Sequence, residues 1–234
     1  MRLKFSLRLY MLLLAFGFIY ACKTVKVVKT PHIVGQPPID TTDYSVKKGV
    51  EPSNETIANF LTEYLNIKYK DRDFSKFVYV SIKYQKLYLI EEEEVKLKFP
   101  ISSAKLGVGN KQNSMKTPIG LHTIKRKIGD GVPLGGLFYS RVYSGKVSPI
   151  YTQKIKSKTD DVTTRIMWLQ GEEPGVNRGR NIDSYKRYIY IHGTSEEGYI
   201  GEPASHGCIR MKNKDVVNLY DLVGEGTPVL ILKH

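Results

Sequence analysis

The sequence predicts a mainly β fold, an antiparallel β-sandwich with a few short helices, preceded by an N-terminal signal and linker. Three observations carry that expectation. The 234 residues include 16 Tyr and are rich in Val and Ile, side chains that suit a pleated, half-buried surface. From Phe77 onward, short alternating or β-branched runs are separated by Gly, Pro and charged clusters. Only two stretches carry a helical period, and the length suits one substantial domain with extra segments.

Met1 to Arg8 holds three basic residues, and Leu9 to Tyr20 is an almost unbroken apolar run. That is the length of a signal-peptide core and too short for a comfortable membrane span. Ile19-Tyr20-Ala21-Cys22 is similar to a bacterial lipobox, which implies a signal peptide over 1–21 and lipid attachment at Cys22. An ordinary signal peptide or an uncleaved anchor is the alternative. Residues 22–52 contain four prolines and no sustained periodicity, which reads as an extended tether. Lys23 after the lipidated Cys, where an Asp commonly retains lipoproteins in an inner membrane, favours the periplasmic face of an outer membrane if the envelope has one.

Residues 53–75 read as a short amphipathic helix and connector. Ser53 is placed as N-cap, Glu55 in the first turn, and Ile57, Phe60, Leu61, Tyr64 and Leu65 on one face. The β-rich part, 76–234, opens with strands at Phe77–Tyr84, Lys86–Ile90 and Val95–Ile101. Glu91 to Glu94 between two of them is a solvated hairpin tip rather than a metal site. Gly107-Val-Gly109 lacks the Lys-Ser/Thr and helix of a phosphate loop and reads as a turn. Gly135 to Asp161 shows weak periodicity. Thr163 to Gln170 reads as a central strand, and Lys186 to Ile191 as a strand leading into His192. Asn213 is placed as the cap of a helix through Val223, and Pro228 to Leu232 as the closing strand.

The chemistry concentrates in Tyr188-Ile-Tyr-Ile-His192-Gly193-Thr194 and Ser205-His206-Gly207-Cys208-Ile209-Arg210. Two His beside one Cys supply a sulfur, a base and an orienting or polarising group for nucleophilic catalysis. With Cys22 lipidated, Cys208 is the sole thiol of an exported chain, which points to a reactive site. A neighbouring imidazole is expected to shift it toward thiolate. Zinc ligation by His192, His206 and Cys208 is the competing reading. The formal charge of +13 permits an anionic partner. Nucleic acid is excluded by the export signal and by scattered Lys without a basic helix.

These residues resemble the signature of the L,D-transpeptidase catalytic domain family, and Lys116-Thr-Pro-Ile-Gly120 is similar to a family element preceding a strand beside the active site. The resemblance spans roughly Phe77 to Lys233. It implies Cys208 as nucleophile on peptidoglycan stem peptides, His192 as base with a carbonyl near Gly193 orienting it, and a lid or substrate-binding segment within 135–161. Thioester formation and a 3→3 cross-link follow from the same resemblance, with carboxypeptidase or endopeptidase hydrolysis, or a non-catalytic wall-binding lipoprotein, as alternatives. His206 supports thiolate or oxyanion, and its role and that of His192 are interchangeable at this stage. Gly207 leaves N–H groups near Cys208 for an oxyanion hole. Ser205 is expected to support the His. Arg210 binds a substrate carboxylate or forms a structural pair. Thr194, Trp168 and Tyr151 are further substrate-binding candidates. No metal or cofactor is required, and a monomer is expected.

Overall fold

The computed structural model describes residues 50–233, all of them in the second of two units, Val46–His234, into which the chain divides after Met1–Ser45. The expected signal peptide, the lipidated Cys22 and the tether as far as residue 49 lie outside the described residues. Among the described residues no helix is long and apolar enough to cross a membrane.

Helix α1 (Asn54–Lys68) starts where its capping chemistry dictates, with the Ser53 hydroxyl accepting the Thr56 N–H at 3.1 Å. Ile57, Ala58, Leu61 and Leu65 form its buried stripe. Phe60, expected on that stripe, is 63% exposed and lies against Tyr64 instead, because the stripe passes through Ala58. The helix packs with Phe74, Phe77, Tyr79, Tyr88 and Leu230 into one apolar cluster.

Ten strands follow: β1 (Lys76–Ser81), β2 (Lys86–Glu91), β3 (Glu94–Pro100), β4 (Gly120–Ile128), β5 (Gly136–Tyr139), β6 (Val142–Val147), β7 (Val162–Gly171), β8 (Tyr190–Thr194), β9 (Ile209–Met211) and β10 (Pro228–Leu232), with helix α2 (Asn213–Leu222) between the last two. They form one mixed sheet in the order β3-β2-β1-β10-β4-β7-β5-β6, with β8 on β7 and β9 on β8. Most pairings are antiparallel, but β1 with β10 and β8 with β9 run parallel. Val78, Val80, Leu87 and Leu89 meet Met167, Leu169, Ile191, Ile209, Met211 and Leu219 in the main core. The fold is mainly β, as expected. Residues from both ends of the sheet close over one core.

The Glu91–Glu94 stretch is the β2–β3 hairpin tip, with Glu92 and Glu93 at φ 52° and 59°. The weakly periodic 135–161 region contains a second hairpin, β5–β6, whose tip Ser140 and Arg141 sits at φ 46° and 71°. Its strands carry no legible alternation: β5 is four residues long and nearly all buried, and β6 is mostly exposed. Helix α2 begins one residue earlier in effect than expected: Lys212 is its N-cap and Asn213 its first residue. The Asn213 side chain is occupied elsewhere, accepting from Thr163 and donating to the Thr194 carbonyl.

His122 on β4 is wholly buried between the Gly120 carbonyl and the Ser184 hydroxyl, and burial pushes its pKa down to about 4. The folded-state value lies below the ordinary 6.5, so the unfolded chain binds more protons and stability falls as pH drops through that window. Denaturant unfolding at stepped pH should show a loss of about 3 kcal/mol from His122 between pH 6.5 and 4. A flat profile there would contradict the buried neutral imidazole.

Candidate active site

Strand β8 starts at Tyr190 rather than at Lys186. A turn with Ile189 N–H bonded to the Ser184 carbonyl and Tyr188 at φ 59° occupies the preceding residues. His192 therefore lies within the strand, opposite Ile166 on β7 and Arg210 on β9, and not at a strand end. Its ring is 2% exposed, and Nδ1–H donates to the Gly193 carbonyl at 2.7 Å. A carbonyl only accepts, so the proton is on Nδ1 and Nε2 offers a lone pair. Burial pushes the imidazole down to about 4, against the pull of the Asp160 carboxylate. Gly193 admits no side chain, because a Cβ there would lie 2.7 Å from Asn213 Oδ1 and 2.8 Å from the Thr163 carbonyl.

Cys208 is half-buried, and it is the free cysteine among the described residues. The Tyr190 N–H donates to Sγ and the thiol donates to the Tyr188 carbonyl, both at 3.4 Å. Tyr190 also stands edge-on to His192 at 6.4 Å, so sulfur and imidazole flank the same residue. Burial pushes the thiol up to about 12; Asp160 adds to this, while the Tyr190 N–H, Arg210 and Arg187 oppose it. Both shifts run against the expected thiolate, since burial favours the neutral thiol and the neutral imidazole.

The Cys208 turn is braced by Ser205, not by a histidine. The Ser205 hydroxyl donates to the Cys208 carbonyl at 2.6 Å and accepts the Gly207 N–H at 3.2 Å. Two expectations change: Ser205 supports the turn rather than a His, and the Gly207 N–H is already engaged. Gly207 is still required by its φ of 139°. His206 points away into solvent, with its side chain 65% exposed and Nδ1 on Asp160 Oδ2 at 2.7 Å. Among the described residues no three His, Cys, Asp or Glu are grouped as metal ligands.

Arg210 is 1% exposed, and its two terminal nitrogens are taken by Glu196, at 2.9 Å, and by Asp160. Of its two expected roles, the structural pair is the one present. Asp160 stays below the ordinary carboxylate range: burial raises it, but Arg210, His192 and His206 outweigh burial. Thr194 is buried, its hydroxyl taking the Glu196 N–H at 3.1 Å. Tyr151 joins the segment after β6 to the loop after β8, its N–H on the Ser195 carbonyl and its carbonyl on the Gly198 N–H. Trp168 lies stacked on Tyr185 at 4.0 Å, with Tyr190 edge-on at 5.6 Å. Trp168 and Cys208 pack against the same Phe138, Ile166 and Tyr190 cluster.

Sequence reasoning missed Asp160, Glu196 and Asn213. Asp160 and Glu196 sit in aperiodic loops beside other acids, and nothing in the linear pattern pairs them with Arg210. Asn213 was legible only as a helix cap.

A mainly β domain with a lone described thiol and a buried, carbonyl-oriented imidazole defines the class. The chain belongs to the YkuD family, the L,D-transpeptidase catalytic domain, whose family model matches residues 75–231. It is similar to two proteins of Bacillus subtilis (strain 168), YkuD and YqjB, both named as putative L,D-transpeptidases. Each is 37% identical over 86 residues; the YkuD match covers 37% of this chain and 52% of that protein, the YqjB match 36% and 44%. The chain thus spans about half the length of the relatives it matches. Among solved structures, an L,D-transpeptidase from Mycobacterium smegmatis is 19% identical, covering 68% of this chain and 58% of that one with a TM-score of 0.42. One from Xylanimonas cellulosilytica is 20% identical, covering 68% and 60% with a TM-score of 0.40.

Removing one partner of a buried ion pair strands the other charge. Glu196→Ala should therefore cost about 3–5 kcal/mol in denaturant unfolding. Asp160→Ala should cost less, since its side chain is 29% exposed and water can replace it. Equal losses would contradict this ranking.

Proposed function

We propose that this chain is a cysteine-dependent L,D-transpeptidase acting on peptidoglycan stem peptides through a thioester on Cys208. The observation that carries the reading is the His192 Nδ1–Gly193 carbonyl bond, which leaves Nε2 as the one basic atom of a buried ring beside the sulfur's holder, Tyr190.

As Sγ attacks the carbonyl carbon of the stem's third residue, the thiol proton passes to His192 Nε2. The tetrahedral intermediate collapses, the C–N bond to the terminal D-Ala breaks, and the imidazolium returns its proton to the leaving amine. An amine of a neighbouring stem then attacks the thioester and gives its proton to His192. The C–S bond breaks, and the product is a 3→3 cross-link. Water in place of the amine gives the carboxypeptidase reaction. With the Gly207 N–H engaged by Ser205, the N–H groups of His206 and Cys208 are assigned to the oxyanion. His206 holds Asp160 and serves the site indirectly. The lipid anchor on Cys22 keeps the domain at the envelope membrane, on the periplasmic face of an outer membrane where one exists, acting as a monomer.

In a soluble chain starting after Cys22, a carbapenem should add its mass once, at Cys208, and Cys208→Ala should take none; an unmodified folded wild type refutes the assignment. The base must be neutral, so the acylation rate should hold as pH falls through 6.5 and drop only near pH 4. His192→Ala should lose most of the rate and regain it as pH rises, by about tenfold per unit, because hydroxide then ionises the thiol. His206→Ala should give a slower enzyme with an unchanged profile. Recovery at high pH in His206→Ala alone would reverse the two roles.

A further inference from the structure

The β5–β6 hairpin tip carries an arginine where the backbone favours glycine or asparagine. Arg141 has φ 71° and follows Ser140 at φ 46°. Two non-glycine residues in the left-handed region are strained, and such strain persists where the surroundings over-determine it.

The surroundings here are aromatic. The Arg141 guanidinium lies 4.9 Å from the ring centroids of both Trp168 and Tyr188. One Nη1–H reaches the Tyr190 hydroxyl at 3.4 Å. Trp168 is itself fixed, stacked on Tyr185 and donating Nε1–H to the Tyr185 carbonyl at 3.0 Å. The ring contacts use the face of the cation and leave most of its N–H donors unused.

The charge is also uncompensated. Among the described residues Arg141 has no carboxylate partner, whereas Arg72, Arg178 and Arg210 each have one. The two guanidiniums that act on the thiol are both engaged: Arg210 by Glu196 and Asp160, and Arg187 by the Gly109 and Lys116 carbonyls and the Ser114 hydroxyl. The place matters as much as the charge. Tyr188, which contacts the guanidinium through its ring, and Tyr190, which does so through its hydroxyl, hold Sγ of Cys208 through their backbone.

We propose that Arg141 receives a carboxylate of the donor peptide and sets its register over Cys208, an inference that rests on the acyl-transfer reading above. A planar guanidinium held between two rings with unused N–H donors suits bidentate carboxylate binding, and the ring contacts lower the entropy lost on binding. The carboxylate is either the terminus of the leaving D-Ala or an acidic side chain at the third residue.

The test uses four synthetic tetrapeptides, combining a free or amidated C-terminus with a free or amidated third side chain. Their affinities are measured by titration calorimetry on Cys208→Ala, with and without Arg141→Ala, and their acylation rates on protein that retains Cys208. Loss of Arg141 should weaken the doubly free peptide by about 10–100-fold, the range of a charged hydrogen bond. Amidating the contacted carboxylate should bring that sensitivity below about threefold, and the amide that does so names the source. In the acylation assay the loss should fall on KM more than on kcat. Arg141→Gly, which suits φ 71°, should match Arg141→Ala and guards against a folding defect, while Arg141→Lys should restore part of the affinity. Equal losses across all four peptides, no loss, or no binding of any peptide overturns the proposal. If Cys208 never becomes acylated while Arg141-dependent binding is measured, the acyl-transfer reading fails and the carboxylate site stands.

Discussion

A guanidinium sealed inside the domain is the constraint on which the arrangement of the site depends. Arg210 follows Cys208 by two residues on β9, where it pairs in register with His192. A charge removed from water must be neutralised where it stands. Glu196 reaches it from the loop after β8, and Asp160 from the segment between β6 and β7. Each carboxylate then holds something else. Glu196 takes the N–H and hydroxyl of Ser157, and Asp160 takes the ring of His206. One buried charge thereby sets the positions of three loops around the sulfur. Relative to an apolar core such a pair adds little net stability; what it supplies here is a unique arrangement.

The same burial sets the chemistry at rest. His192 at about 4 and Cys208 at about 12 are separated far enough that an imidazolium–thiolate pair is a minor species before substrate arrives. In the proposed reaction proton transfer accompanies attack, when the developing oxyanion and the bound peptide change the surroundings of both groups. On that proposal nucleophilicity is a property of the complex, and the raised thiol pKa favours the less readily oxidised thiol form in the free site.

Much of this was legible in the linear pattern. Ser53 as a cap, the β2–β3 hairpin, the central strand β7 and the closing strand β10 follow from local chemistry: a hydroxyl before a helical period, charges between β-branched runs, and a short apolar run after Gly and Pro. Family membership followed from the Ser-His-Gly-Cys turn. What local chemistry does not encode is partnership across loops. Asp160 finds Arg210 and His206 only through the fold, and the roles of Ser205 and Gly207 depend on which atoms the turn presents. Phe60 shows the same limit at the level of packing, since helical period names a face but an adjacent Ala58 can move the buried stripe around it.

The last of the described strands lies in the middle of the sheet. β10 joins β1 on one side and β4 on the other, so residues at 228–232 link the β1–β3 meander to everything that carries the site. Without β10 no strand joins β1 to β4, the two parts meet only through short bridges such as Ser102–Arg210 just after β3, and the main core lacks Val229 and Ile231. Contacts so distant in sequence carry a high loop-closure cost and form late. The sheet around the thiol pocket is therefore completed only once residues 228–232 are in place, and until then Cys208 lies within an unfinished sheet. Loss of residues 228–232 removes a strand from the centre of this domain, where loss of an edge strand would only trim it.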